Sequence, residues 1–149
     1  MKTEFRYKDV FIKPKIFVID DEEIILNSLS ILFGGEGLHA DTENDPIKAF
    51  QRFKENDYSI VLIDIEMPGM RGPDLIRKIK EINPLCNCIV MTAYSNMCNV
   101  VECIESGAID YITKPFIDTG LLMDIVHEAI RRVIRWKQSF GIGFQESRD

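Results

Sequence analysis

The feature that most constrains this chain is an alternation of two periodicities. Short apolar runs, several of them ending on a polar residue, are separated by stretches with helical spacing. Lys15–Asp20 (KIFVID) is the first run, and Glu22 to Phe33 then carries Ile25, Leu29, Leu32 and Phe33 on one helical face. Gly34, Gly35 and Gly37 are expected to break that helix. Leu38–Thr42 reads as a polar strand suited to a sheet edge. Asp45 as N-cap and Pro46 at the first helical position open a helix to Glu55, with Ile47, Phe50 and Phe53 expected on its inner face. Tyr58–Ile63 is a continuous apolar strand, and Pro73–Ile82 a helix with Leu75, Ile76 and Ile79 inward. Cys86–Met91 reads as a strand, Asn96–Ser106 as a helix closed by Gly107, Ile109–Ile112 as a strand, and Ile117–Lys137 as a long helix.

Strand and helix thus alternate five times, which implies a parallel sheet covered on both faces, with strands apolar throughout. The expected fold class is α/β, a doubly wound five-stranded parallel sheet. A chain of 149 residues suits one domain with a substantial core. The pattern occupies 15–137; residues 1–14 form an N-terminal extension and 138–149 a tail or the start of a linker. With 24 acids against 18 bases, a net charge of −6 argues against a nucleic-acid-binding surface. No apolar run approaches the roughly 18 residues of a membrane span, and the N-terminus lacks a signal-peptide core. A cytoplasmic address is therefore expected. The four cysteines, Cys86, Cys88, Cys98 and Cys103, lack paired zinc-ligand spacing and read as small apolar residues in a reducing compartment.

Ligands of open parallel sheets bind beyond the carboxyl ends of the strands. Asp20 and Asp21 end the first run, Asp64 the third, Thr92 the fourth, and the fifth leads into Lys114-Pro115. Each residue has a structural explanation alone: helix-capping acids, a turn aspartate, a capping threonine, a solvated lysine. Together they converge on one edge from four strands. Two carboxylates about 4 Å apart repel by roughly 4 kcal/mol at an effective dielectric of 20, so such a cluster calls for a cation. Mg²⁺ fits oxygen ligands combined with a substrate phosphate. Acids, Mg²⁺ and a lysine compose a phosphoryl-transfer site with Asp64 available as nucleophile.

The stretches VIDDEE, VLIDIEMPGMRGPDLI, IVMTAY and SGAIDYITKPF resemble the receiver domain of two-component response regulators, over about Lys15 to Ile134. The resemblance implies a flavodoxin-like (βα)5 fold with strand order 2-1-3-4-5. It implies Asp64 as phosphoacceptor; a Mg²⁺ site from Asp20, Asp21, Asp64 and the Glu66 backbone carbonyl; and Thr92 and Lys114 as partners of the phosphoryl group. Thr92 and Tyr111 would form the switch, and the Lys114–Pro115 bond would be cis. Arg71 departs from the commoner Asn or Asp before the glycine and reads as a tolerated loop change, while Glu66 and Tyr94 stand where side chains screen an acyl phosphate. The implied partners are a sensor histidine kinase or histidine phosphotransfer protein. The domain would catalyse only its own phosphorylation and slow dephosphorylation.

Three rival readings remain open at this stage. A haloacid-dehalogenase-like phosphatase also uses a strand-end aspartate but needs a second Asp where Glu66 stands, and turnover of a generic phosphate ester would reveal it. A nucleotide-binding module is disfavoured because the Gly34–Gly37 cluster follows a helix and no phosphate-binding loop motif occurs. A receiver fold used only for dimerisation would not need the full acid, threonine and lysine set. The last helix ends in Arg135, Trp136 and Lys137, and Phe140, Ile142 and Phe144 follow. Such residues suit contact with an output domain or a homodimer partner through the last strand and helix.

Overall fold

The computed structural model describes residues 14–93 and 98–139. Expectations for Tyr94, the start of the fourth helix at Asn96, residues 1–13 and the aromatic tail from Phe140 lie outside the described residues. Five strands alternate with five helices: β1 Ile16–Ile19, α1 Glu23–Gly35, β2 Ala40–Glu43, α2 Pro46–Glu55, β3 Ile60–Asp64, α3 Gly72–Ile82, β4 Asn87–Ala93, α4 Cys98–Ser106, β5 Ala108–Lys114 and α5 Thr119–Ser139. All pairings are parallel and the order is β2-β1-β3-β4-β5, as the resemblance implies.

The central strands are apolar along most of their length because successive side chains point to opposite faces and both faces are covered. Asn87, Asp64 and Thr92 are the polar exceptions, at or near strand ends. Phe17, Ile19, Val61, Ile63 and Val90 face one core with Ala49, Phe53, Leu75, Ile76 and Ile79 of α2 and α3. Ile16, Val18, Ile60, Leu62 and Ile89 face the other with Leu29 and Phe33 of α1 and Val126, Ile130 and Val133 of α5. The polar edge strand expected at β2 is found, while the uniformly apolar pattern fails at the other edge, β5. All four residues of β2 are half-buried, and β5 exposes Ile109 and Tyr111 while burying Ala108 and Ile112, since an edge strand is covered less completely.

Other details differ from the sequence reading. Gly34 and Gly35 remain helical, and the turn falls at Gly37 with φ 74°, a left-handed conformation that glycine adopts without a Cβ clash. On α2 it is Ala49 and Phe53 that point inward, whereas Ile47 is exposed. The apolar face Leu121, Leu122, Ile125, Val126, Ala129, Ile130 and Val133 of α5 packs inward except at Leu121, which is exposed, and Met123 is buried in addition. Helix α5 runs through residue 137 to Ser139, so the expected domain boundary lies within a helix. Cys86, Cys88 and Cys103 are buried, Cys98 is exposed, and all four are free thiols.

Candidate functional site

Strand register levels the site. Ile19 pairs with Ile63, so Asp20 and Asp64, one residue further along each chain, leave the two central strands side by side. Asp64 in turn pairs with Met91, and Thr92 and Ala93 pair with Thr113 and Lys114. The chain winds from β1 outward to β2 and then crosses back to β3. The β1/β3 pair is therefore the point where strand order reverses and a crevice opens.

At that crevice Asp20, Asp21 and Asp64 present oxygens that all lie within 4.8 Å of one another, the one such acidic cluster among the described residues. Asp20 is fully buried and Asp21 exposed. Asp20 accepts from the Glu22 amide at 2.9 Å and from the Lys114 ammonium at 2.5 Å. That ammonium also lies 3.4 Å from Asp64, bridging two acids from two strands. The Lys114–Pro115 bond is cis.

Burial, reinforced by the charge of Asp20 and opposed by Lys114, raises the Asp64 carboxyl to about 7. Burial raises Asp20 as well, against the pull of its hydrogen bond from Lys114. For Lys114, burial works against the cation, but the hydrogen bond to Asp20 and the charge of Asp64 outweigh it and hold the ammonium above its ordinary value. One lysine thus leaves the cluster underneutralised. The donor set is all oxygen, preassembled and part-buried, which fits a hard divalent cation such as Mg²⁺.

Thr92 is fully buried and its hydroxyl donates to the Ala93 carbonyl at 3.0 Å. Tyr111, two strands from Asp64, is partly exposed. Glu66 is exposed, and with Met67, Pro68 and Arg71 it lines an open cleft of about 390 Å³.

Two residues at this edge were not singled out as functional by the sequence. Gly72 packs so closely under the end of β3 that a Cβ there would lie 2.7 Å from the Asp64 carbonyl oxygen. Arg71 reaches across to Glu102 of α4 with two hydrogen bonds, 3.1 and 2.7 Å long. The Pro-Gly and Gly-Pro dipeptides of this loop signal a turn but not these contacts.

A doubly wound parallel sheet that holds a strand-end carboxylate, two companion acids and a lysine at its switch point is the architecture of a phosphoacceptor signalling domain. Residues 16–127 match the response regulator receiver domain, and the chain belongs to that family. It is 35% identical over 115 residues to the transcriptional regulatory protein ZraR of Klebsiella oxytoca, covering 77% of this chain and 26% of that protein. Identity to the transcriptional regulatory protein CutR of Streptomyces coelicolor is 31% over 108 residues, 72% of this chain and 50% of that one. The chain spans half or less of the length of these curated relatives. Among solved structures, a receiver domain protein from Clostridium thermocellum superposes with a TM-score of 0.74 at 31% identity, covering 80% of this chain and 95% of that chain. A CheY-like receiver domain protein from Methanospirillum hungatei does so with a TM-score of 0.74 at 26% identity, covering 81% and 97%. This is a receiver domain homologous to two-component response regulators. No helix among the described residues is long and apolar enough to cross a membrane.

Proposed function

We propose that the domain takes a phosphoryl group onto Asp64 from a histidine kinase or histidine phosphotransfer partner, with Mg²⁺ held by Asp20, Asp21, Asp64 and the Glu66 backbone carbonyl. The observation that carries this reading is the convergence of three carboxylates and Lys114 at the strand-order switch point. An Asp64 carboxylate oxygen attacks phosphorus as the bond from phosphorus to the donor nitrogen breaks. The bonding pair leaves with the imidazole, and an acyl phosphate forms. Bound Mg²⁺ would neutralise charge on the transferring oxygens. Lys114, held beside Asp64 by Asp20, supplies a second positive charge without a solvent-exposed approach. The acyl phosphate adds a charge of about −2, which redirects the Thr92 hydroxyl from Ala93 towards the phosphoryl oxygens and lets Tyr111 turn inward. That motion alters the face carrying Ile104, Ile109 and Tyr111, which we assign to an output domain or a second copy of the chain.

Incubation with Mg²⁺ and acetyl phosphate, followed by mass spectrometry, tests the assignment. Wild type should carry one phosphoryl group on Asp64, and Asp64→Asn none. Label on Asp20 or Asp21 in Asp64→Asn would overturn it.

A further inference from the structure

Arg71 breaks a local rule. It is the N-cap of α3, where a short polar side chain would accept from the first free helix amides, as Asp45 does for α2 with bonds of 2.8 and 3.3 Å to Ile47 and Lys48. Arg71 makes no such cap bond, and it sets a cation at the positive end of the helix. A residue that violates capping and charge preference together points to a competing use.

That use is visible in its contacts. Its guanidinium grips both oxygens of Glu102 on α4, the planar bidentate match that lysine cannot make. Arg77 lies 3.6 Å from the same carboxylate and is itself bonded to Asp74 at 2.8 Å. The pairing with Arg71, foremost its hydrogen bonds, draws the Glu102 carboxyl below the ordinary range. The next residue, Gly72, donates its amide to Ile65 at 2.8 Å and packs directly beneath the Asp64 carbonyl. An unbroken chain of contacts therefore runs from α4 through Glu102, Arg71 and Gly72 to the main chain of the acceptor. Met67 is buried in the core and Met70 packs against it, while Glu66, Pro68 and Arg71 are exposed beside an open cleft. On that outer side the loop is held by the Gly72 amide and the Arg71 grip.

We propose that Arg71 is a positioning residue for phosphoryl transfer: clasped by Glu102, it fixes the 66–71 loop and the end of β3 against α4. The proposal rests on Asp64 being the acceptor, and it extends that reading by tying acceptor geometry to the helix that follows the Thr92 strand. Movement of α4 then changes the reactivity of Asp64, and phosphorylation of Asp64 pulls on α4, through one pair of side chains.

The test is a double-mutant cycle on the full chain with Arg71→Ala, Glu102→Ala and the double variant. Two quantities are read: amide hydrogen exchange of residues 65–72 without phosphodonor, and the rate of phosphorylation by acetyl phosphate with Mg²⁺. Each single variant should exchange faster in that loop and react more slowly, by about tenfold, and the double variant should be no worse than either. Arg71→Asn separates positioning from stability, because it installs a proper cap. Its melting temperature should equal or exceed that of wild type while its loop exchange and rate match Arg71→Ala. Arg77→Ala, which touches Glu102 but not the loop, should behave nearly as wild type. Additive effects in the cycle, or wild-type exchange and rate in Arg71→Asn, would overturn the clasp. Should wild type fail to label at Asp64, the acceptor assignment falls, while the exchange cycle still decides whether Arg71 holds the loop.

Discussion

Gly72→Ala sets two effects of opposite sign against each other. Gly72 has no positive φ, so alanine fits its backbone conformation. On chain entropy and helix propensity alone, alanine should stabilise by about 0.4–1 kcal/mol. The structure opposes this. The added Cβ would sit 2.7 Å from the Asp64 carbonyl oxygen and 2.9 Å from the Ile65 Cα, where ordinary contact begins at 3.4 Å. Both neighbours are backbone at the end of a buried strand, so no side chain can swing aside. Helix α3 must move away by roughly half an ångström, at an overpacking cost of about 1–3 kcal/mol. The same shift stretches the 2.8 Å bond from the Gly72 amide to Ile65, a loss of about 1 kcal/mol.

The net expectation is destabilisation of about 2 kcal/mol, a fall in melting temperature of roughly 6–8 °C for a domain of this size. Phosphorylation by acetyl phosphate should slow by about tenfold as well, because the acceptor's own carbonyl is displaced. Thermal unfolding followed by circular dichroism, with a parallel labelling time course, measures both. A Gly72→Ala variant at or above the wild-type melting temperature would refute the close approach, and a destabilised variant with a wild-type rate would refute its link to the acceptor.

Removing the Tyr58 hydroxyl probes the opposite edge of the sheet, where it donates to Asp41 at 2.5 Å. Asp41 is partly solvent-exposed, so Tyr58→Phe should cost only about 1 kcal/mol at neutral pH. That hydrogen bond, above all, holds the Asp41 carboxyl below its ordinary value of 3.8. Its contribution is therefore complete above that value and lost as pH falls through the lower folded one, so the melting curves of wild type and Tyr58→Phe should converge in acid. A gap that stays constant to the lowest pH at which both remain folded would contradict the assignment. Thr92→Ala should still label at Asp64 but show a weakened hydrogen-exchange response from β4 to α5 on phosphorylation. An undiminished response would show that the Thr92 hydroxyl does not transmit the change.

The parts of the molecule legible in the sequence are those written in short-range pattern. Three central strands covered on both faces give unbroken apolar runs, and their helices repeat apolar residues at helical spacing. The acids at Asp20, Asp21 and Asp64 could be placed together because strand ends in a parallel sheet share one edge, whatever the pairing register. The edges carry a weaker pattern, since β5 alternates and β2 stays half-buried. Strand limits, central and edge alike, differ from the pattern-based ones by up to two residues. Ile47 and Leu121 misled for a related reason. Each follows the helical period, yet lies at the margin of its helix's buried stripe, where a single position decides between core and solvent.

Arg71 and Gly72 fail to announce themselves for a different physical reason. A glycine before a proline in a loop has a sufficient local explanation as a turn, and an arginine there has one as a solvated charge. What distinguishes them is distance in space. Arg71 meets Glu102 across 31 residues, and Gly72 meets Asp64 only because α3 starts where β3 ends. Neither contact leaves a periodic trace. The signal that was available is negative: an arginine at an N-cap contradicts both capping and the helix dipole, whereas Asp45 at the corresponding point of α2 obeys them. A local preference overridden at the loop that follows the acceptor is the kind of inconsistency that marks a long-range commitment. On the proposed reading the acid cluster supplies the chemistry of this edge, and the Arg71–Glu102 pair ties the loop beside it to α4.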